Sequence, residues 1–185
     1  MAMISHSHTS KIMITLFVEE NNPITPSFYN SFLSTLQFHQ LKCPCGHAGG
    51  LSIHGYYHRQ VKSSEGKLHF RICRVICEHC GKTHALLLSS MVPYSQLSLK
   101  DHLEIIAADE ADAPTATLLK NNNSVDESTI RHVIHIYRKH WKQRLVSFSI
   151  SIGLISVLIR QCFHIYSRQF MQIKRTTNYL FPDTT

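Results

Sequence analysis

The sequence predicts an α+β protein, a small antiparallel hairpin followed by a mostly α-helical bundle. Three observations predict it. Two close cysteine pairs, in Cys43-Pro44-Cys45-Gly46-His47 and Cys77-Glu78-His79-Cys80-Gly81, bracket the segment between them. Inside that bracket lie two strand-like runs, Leu51 to Lys62 and Lys67 to Ile76, joined by the turn sequence Ser63-Ser64-Glu65-Gly66. Beyond residue 98 the apolar residues recur at helical spacing, most clearly from Ile130 to Leu145.

Clustered thiolates repel one another unless a cation neutralises them. Tetrahedral Zn²⁺ does so. Cys77-x-x-Cys80-Gly81 has the form of a zinc knuckle, with the glycine free to take the positive φ that such a turn needs. Cys43-x-Cys45 is one residue shorter and makes a tighter chelate. Cys43, Cys45, Cys77 and Cys80 are therefore the expected ligands, with His47 as an alternative donor and His79 and His84 behind it. A hairpin returns its two ends to one place, so the two runs bring the pairs together as a zinc ribbon. A sheet that small buries little apolar surface, and the metal would supply the missing stability. Cys73, inside the second run, and Cys162, far from the other five, read as buried free thiols. A redox Cys-x-x-Cys would leave the second pair unexplained.

The remaining elements follow in order. Ile12 to Val18 is a short apolar run suited to a strand. Phe28, Phe32, Leu33 and Leu36 fall at helical spacing within Ser27 to Gln40, which predicts a helix leading into the metal site. Ala85 to Leu88 is apolar, and Pro93 breaks the chain. Ser98 is placed to cap a helix from about Leu99 to Asp109. A shorter helix over 114–120 and a turn at Asn121-Asn122-Asn123 precede two rival caps. Ser124 has capping-box spacing to Glu127, and Asp126 competes, with Val125 and Ile130 set as a staple. Ile130, Val133, Ile134, Tyr137, Trp141 and Leu145 then form one stripe and Arg131, His135, Arg138, Lys139 and Lys142 the other. Leu145 to Ile159 is apolar apart from four serines and one glycine. It is shorter than the roughly 20 residues of a membrane span, so a core helix is expected. A mixed basic and aromatic helix is expected from Gln161 to Lys174. The domain boundaries read as an N-terminal segment 1–39, a zinc ribbon 40–92 and a helical, helix-turn-helix-like domain 93–182.

Charge points to a partner. The chain carries +7 with its 14 histidines counted neutral. Residues 40–86 hold seven Lys or Arg against two Glu, and residues 128–182 hold nine against none, while seven of the 12 acidic residues fall between Asp101 and Glu127. Two basic blocks around an acidic one suit a phosphate backbone. Helix, short helix, turn and basic helix is the order of a helix-turn-helix, whose last helix enters the major groove by its N-terminal turns. Thr129, Arg131, His132 and His135, beside Glu127 and Ser128, would read bases. Arg138, Lys139, Lys142 and Arg144 would meet phosphate, joined by Arg59, Lys62 and Arg71 on the rim of the ribbon with His54, His58 and Lys67. The expected partner is double-stranded DNA, with no small-molecule substrate and no membrane.

The same residues resemble a known family. Cys43-Pro44-Cys45-Gly46-His47, His54-Gly55-Tyr56-Tyr57-His58-Arg59, Arg74-Val75-Ile76-Cys77 through Gly81-Lys82-Thr83-His84-Ala85-Leu86-Leu87, and Val92-Pro93-Tyr94-Ser95-Gln96 resemble an uncharacterised bacterial domain-of-unknown-function family common in spore-forming bacteria. The resemblance covers about residues 28–182. Its layout is similar to the N-terminal zinc-ribbon and helix-turn-helix part of insertion-sequence transposases. That resemblance implies zinc at Cys43, Cys45, Cys77 and Cys80 and DNA as partner.

Three functions compete. The first is a DNA-binding protein, regulatory or transposase-related, without a catalytic domain. The second is a zinc-stabilised protein-interaction module. The third is a DNA-processing enzyme, which two-metal chemistry makes the weakest, because the acidic residues sit in helix and cap positions and none lies between Ser128 and Pro182. A non-enzyme is expected. Met1 to Ser10 has neither the basic start nor the long apolar run of a secretion signal, and cysteines at metal-ligand spacing suit a reducing compartment, so a cytoplasmic, nucleoid-associated protein is expected.

Overall fold

The computed structural model describes residues 8–10, 13–63, 66–114 and 125–172. Strands β1 (His8–Ser10), β2 (Met13–Leu16), β3 (Leu51–Ser63), β4 (Gly66–Cys77) and β5 (Thr83–Leu88) form one sheet in the order β1-β2-β5-β4-β3. The predicted hairpin is β3 and β4, antiparallel from Leu51↔Cys77 to Ser63↔Gly66, with a bulge between Ile53 and Gly55. It is not a free-standing ribbon. β5 returns antiparallel along β4, and β2 lies parallel to β5, pairing Ile14 with Leu86 and Leu16 with Leu88. The apolar run near the N-terminus is thus a strand as expected, in a wider sheet than the hairpin alone. Ile14, Leu86 and Leu88 are fully buried.

Helix α1 (Pro26–Thr35) starts where Thr25 accepts the Phe28 N–H and Pro26 occupies the first turn, where its missing N–H costs nothing. It is shorter than predicted, and a single 3₁₀ turn, Phe38–Gln40, follows it. Its most buried side chain is Tyr29, which lies outside the predicted stripe of Phe28, Phe32, Leu33 and Leu36. β4 and β5 pair as far as Arg74↔Ala85, and beyond that point the Tyr29 hydroxyl bridges them. The hydroxyl accepts the Cys73 N–H and donates to the Leu86 carbonyl, each at 2.9 Å. Two buried backbone groups are satisfied by one side chain, and leaving either unmade would cost about 1–3 kcal/mol.

The second core is helical. α2 (Leu99–Glu110) opens on a capping box in which Ser98 accepts the Asp101 N–H and Asp101 accepts the Ser98 N–H. α3 (Glu127–Ile136) is capped by Asp126 rather than Ser124, with Val125 and Ile130 both in the core as a staple. The expected short helix at 114–120 and the Asn121–Asn123 turn lie outside the described residues except at Pro114. After α3 the backbone widens into a π-helical turn, Tyr137–Trp141, before α4 (Lys142–Ser147). The apolar residues explain this. Val133, Tyr137, Trp141 and Leu145 step by four, which drifts off one face of a helix with 3.6 residues per turn. A wide turn resets the phase, and all four are buried.

The core helix expected over Leu145 to Ile159 does not form. α4 ends at Ser147, Ser149 takes φ 52°, and α5 (Ile155–Tyr166) begins only after Gly153. Alternating serines and a glycine compete with the backbone of a helix there. α5 receives its cap from afar: Glu20 accepts the Ser156 N–H at 2.7 Å, placing a carboxylate at the helix N-terminus. The helix predicted to reach Lys174 stops at Ser167, in the left-handed region at φ 52°. Phe170 and Met171 still pack into the helical core beside Trp141. No helix among the described residues is long and apolar enough to cross a membrane.

The segment after β5 joins the two cores. Gln169 donates to the Ser89 and Met91 carbonyls, at 2.8 and 3.1 Å. Arg59 donates to the Val92 and Ser95 carbonyls, both at 2.6 Å. Lys62 N–H donates to the Gln96 carbonyl at 2.7 Å. The Val92-Pro93-Tyr94-Ser95-Gln96 motif therefore lies along the outer edge of β3, where an open strand would otherwise present unpaired backbone.

Candidate metal centre and cationic surface

The hairpin register brings the four predicted cysteines together. The Sγ atoms of Cys43, Cys45, Cys77 and Cys80 all lie within 4.8 Å of one another. Cys43 and Cys80 are 3.7 Å apart, and Cys45 and Cys77 are 3.8 Å apart. A disulfide needs about 2.05 Å. A tetrahedron with arms of about 2.3 Å has edges of about 3.8 Å, so these separations suit four sulfurs around one ion. Each pair sits on a backbone turn of matching size. In the first, Gly46 N–H returns to the Cys43 carbonyl at 2.8 Å, three residues back; in the second, Gly81 N–H returns to the Cys77 carbonyl at 2.8 Å, four back. The shorter Cys-x-Cys spacing is absorbed by the shorter turn. Gly46 and Gly81 take φ 97° and 67°, as a left-handed turn position requires. Glu78 N–H to the Gly50 carbonyl, at 2.9 Å, ties the turns to each other.

The turns also set the electrostatics. The Cys80 and His79 backbone N–H groups aim at Cys77 and lower its thiol to about 7 against the opposing effect of burial. Burial pushes the Cys43 thiol up to about 12. Four sulfurs gathered at these distances form a cluster that a cation would complete. Among the described residues, this is the group of His, Cys, Asp and Glu side chains able to share a metal ion.

The histidines take other places. His47 stacks on His79, ring centroids 4.8 Å apart, and neither belongs to the four-residue group. His84 is buried with Nε2 3.4 Å from Cys43 Sγ. It is a neighbour of the sulfur cluster, positioned to support Cys43 rather than replace it. Cys73 and Cys162 are buried thiols, and burial raises both, Cys162 to about 12.

The cations predicted to meet DNA fall into two groups. On the helices most are already paired. Arg138 donates to both carboxylate oxygens of Asp109, at 2.7 and 2.9 Å. Lys142 meets Glu110 at 2.8 Å, and Arg131 pairs with Glu127 one turn away. Asp109 and Glu110 end α2, where the helix dipole disfavours a carboxylate, so Arg138 and Lys142 offset that cost. Thr129 is occupied at the cap, its N–H and hydroxyl both bonded to Asp126. These bonds hold the Asp126 carboxyl far below the usual range, led by the Ser128 hydroxyl. His132, His135 and Lys139 are exposed.

On the sheet, Arg59 is not a free cation. Its guanidinium caps two loop carbonyls, and burial lowers its pKa. Lys62 reaches Asp126 at 3.3 Å, which sets the start of α3 beside the hairpin. Arg71 is exposed with its guanidinium 4.0 Å over the Tyr56 ring. The hairpin register separates the three rim cations: Lys62 and Arg71 share one face, while Arg59 is on the other, under the loop. No curated protein and no solved structure matches the chain. Residues 43–133, from the first metal-site cysteine into α3, match the family model described as Domain of unknown function (DUF6431), which supports an uncharacterised domain family for this part of the chain.

Proposed function

We propose that the protein is a DNA-binding module whose sheet end is closed by a structural Zn²⁺ ion, and that it carries no catalytic centre of its own. The observation that carries the reading is the four-sulfur cluster. Soft thiolates at tetrahedral separations select zinc or iron over harder ions, and a set of four leaves no open position for a reacting ligand. Cys43, Cys45, Cys77 and Cys80 would hold the ion, and it would supply folding free energy rather than chemistry. The acidic residues support the same reading. Asp101 and Asp126 cap helices, while Asp109, Glu110 and Glu127 neutralise cations, so these five have local structural partners. The net charge of +7 favours a polyanion, and the order of a four-cysteine site ahead of a helical unit is similar to the N-terminal part of insertion-sequence transposases.

The zinc-loaded chain should bind duplex DNA with log affinity falling linearly in log salt, at a slope reporting roughly four to eight neutralised phosphates. Binding that is flat between low and physiological salt, or that persists unchanged after the metal is removed, would exclude the proposal. A second reading rests on a separate observation. Val146, Phe148, Leu154 and Val157 are exposed around the α4–α5 break, at 65%, 55%, 64% and 43%, and an apolar patch of this kind suits a protein partner. A salt-insensitive complex would favour it.

A further inference from the structure

Among the described residues, one face of the hairpin is left largely uncovered. Tyr56↔Cys73, His58↔Arg71, Gln60↔His69 and Lys62↔Lys67 are cross-strand pairs, so alternation puts these side chains on the same side of the ribbon. Cys73 is buried and Lys62 leans to Asp126, but Tyr56, His58, Gln60, Lys67, His69 and Arg71 are exposed. Neither strand contains an Asp or Glu; the acidic residue of the hairpin, Glu65, lies in its turn, outside the described residues. Arg71 has no carboxylate partner among the described residues. Its contact with the Tyr56 ring lays the guanidinium along the face and leaves the N–H fork available.

We propose that this face, centred on Arg71, His58, Gln60 and His69 with Lys67 toward the tip, is the surface that enters the major groove of duplex DNA. The inference rests on the DNA-binding reading above and assigns it a place: the ribbon, rather than the paired cations of the helices. A two-stranded antiparallel ribbon fits a groove about 12 Å wide. From residue 56 to residue 62 the strand runs about 20 Å at roughly 3.4 Å per residue, which follows roughly six base-pair steps. The side chains match the task. Arg71 offers a fork to guanine O6 and N7, Gln60 can pair with adenine, and the two histidines supply adaptable donors or acceptors. Lys67 is a compact charge suited to phosphate. A duplex fits better than a single strand, because one face of Tyr56, the aromatic ring on this surface nearest the cations, is already occupied by Arg71 and does not offer an open platform for a base. Lys139, exposed in the π turn after α3, represents the rival helical assignment and serves for comparison.

The test uses the full zinc-loaded chain, a labelled 24-base-pair random duplex and the matching single strand, with binding followed across salt. The expected result is that K67Q/R71Q binds the duplex roughly 10- to 100-fold more weakly at 0.1 M salt, with the salt slope reduced by about two. K139Q should change both little. Metal content of one ion per chain and unaltered Trp141 emission confirm that each variant is folded. If K67Q/R71Q binds as the parent chain does while K139Q weakens binding, the ribbon assignment is wrong and the DNA reading survives. A parent chain that prefers the single strand also overturns the ribbon assignment. A parent chain that binds neither nucleic acid at low salt overturns both.

Discussion

The hairpin and the stretch from α3 to α4 both carry several basic residues, yet their cations stand in different company. From α3 through the π turn to the start of α4, Arg131, Arg138 and Lys142 face Glu127, Asp109 and Glu110 at ion-pair distance. β3 and β4 contain no acidic residue of their own; Lys62 reaches Asp126 from outside the hairpin, and Arg71 rests on an aromatic ring. Net charge sets the long-range attraction of a segment, but a cation in a two-pronged pair with a carboxylate must release it before meeting a phosphate. Among the described residues, Arg131, Arg138 and Lys142 of the more highly charged segment are thus held by carboxylates. The acidic block between residues 101 and 127, which in the sequence looks like a separate region, neutralises much of the basic one that follows.

The two halves also differ in what holds them, and the largest expected effect breaks them apart. The sheet half closes on four thiols, and metal binding at such sites contributes on the order of 10 kcal/mol. The single tryptophan, Trp141, is fully buried in the helical core, so its emission reports that half alone. Cys77→Ser or Cys80→Ser should abolish metal binding by elemental analysis and remove strand signal from circular dichroism, while Trp141 emission stays unshifted. A red shift appearing together with the loss of metal would mean that the Gln169 and Arg59 links join the two cores into one cooperative unit.

A smaller effect separates the halves by pH. His102, on α2, is buried, donating through Nδ1 to the Ser98 carbonyl at 2.8 Å with Nε2 3.4 Å from the Ser95 hydroxyl. Burial lowers its pKa to about 4, against the opposing effect of the Ser98 bond. An unfolded histidine titrates near 6.5. Between those values the unfolded chain holds the extra proton, so stability falls as pH drops from about 6.5 to about 4 and is unaffected by this group at higher pH. The loss amounts to about 3 kcal/mol. Denaturant midpoints read by Trp141 emission at pH 7 and pH 4.5 should show it, and His102→Phe should flatten that dependence. An equal pH slope in the variant would place the titration elsewhere.

The smallest effect sharpens the charge comparison itself. Exposed ion pairs contribute about 0–1 kcal/mol. Replacing Asp109 by Asn and Glu110 by Gln removes two such pairs and should therefore change stability by no more than about 2 kcal/mol, while freeing Arg138 and Lys142. If the ribbon makes the contact, the salt slope for DNA stays the same. A slope that grows by about two would show that the helix cations reach phosphate once released.

The local signals in the sequence were those whose partners lie a few residues away. The knuckle turns at Cys43–Gly46 and Cys77–Gly81, the hairpin between them, the Ser98 box and the stripe through Trp141 are all set by short-range backbone geometry and periodicity, and four cysteines at those spacings already implied one cluster. Tertiary structure decided what no short window contains. β2 finds β5 some 70 residues later, Tyr29 bridges Cys73 and Leu86, Glu20 caps α5, and Val92 and Ser95 claim the Arg59 guanidinium. The same holds for Arg138 and Lys142, beyond the end of α3, whose carboxylates come from the end of α2. Sequence spacing encodes geometry along the chain, whereas the pairing of a charge or a buried polar group depends on which distant segment packing brings to it.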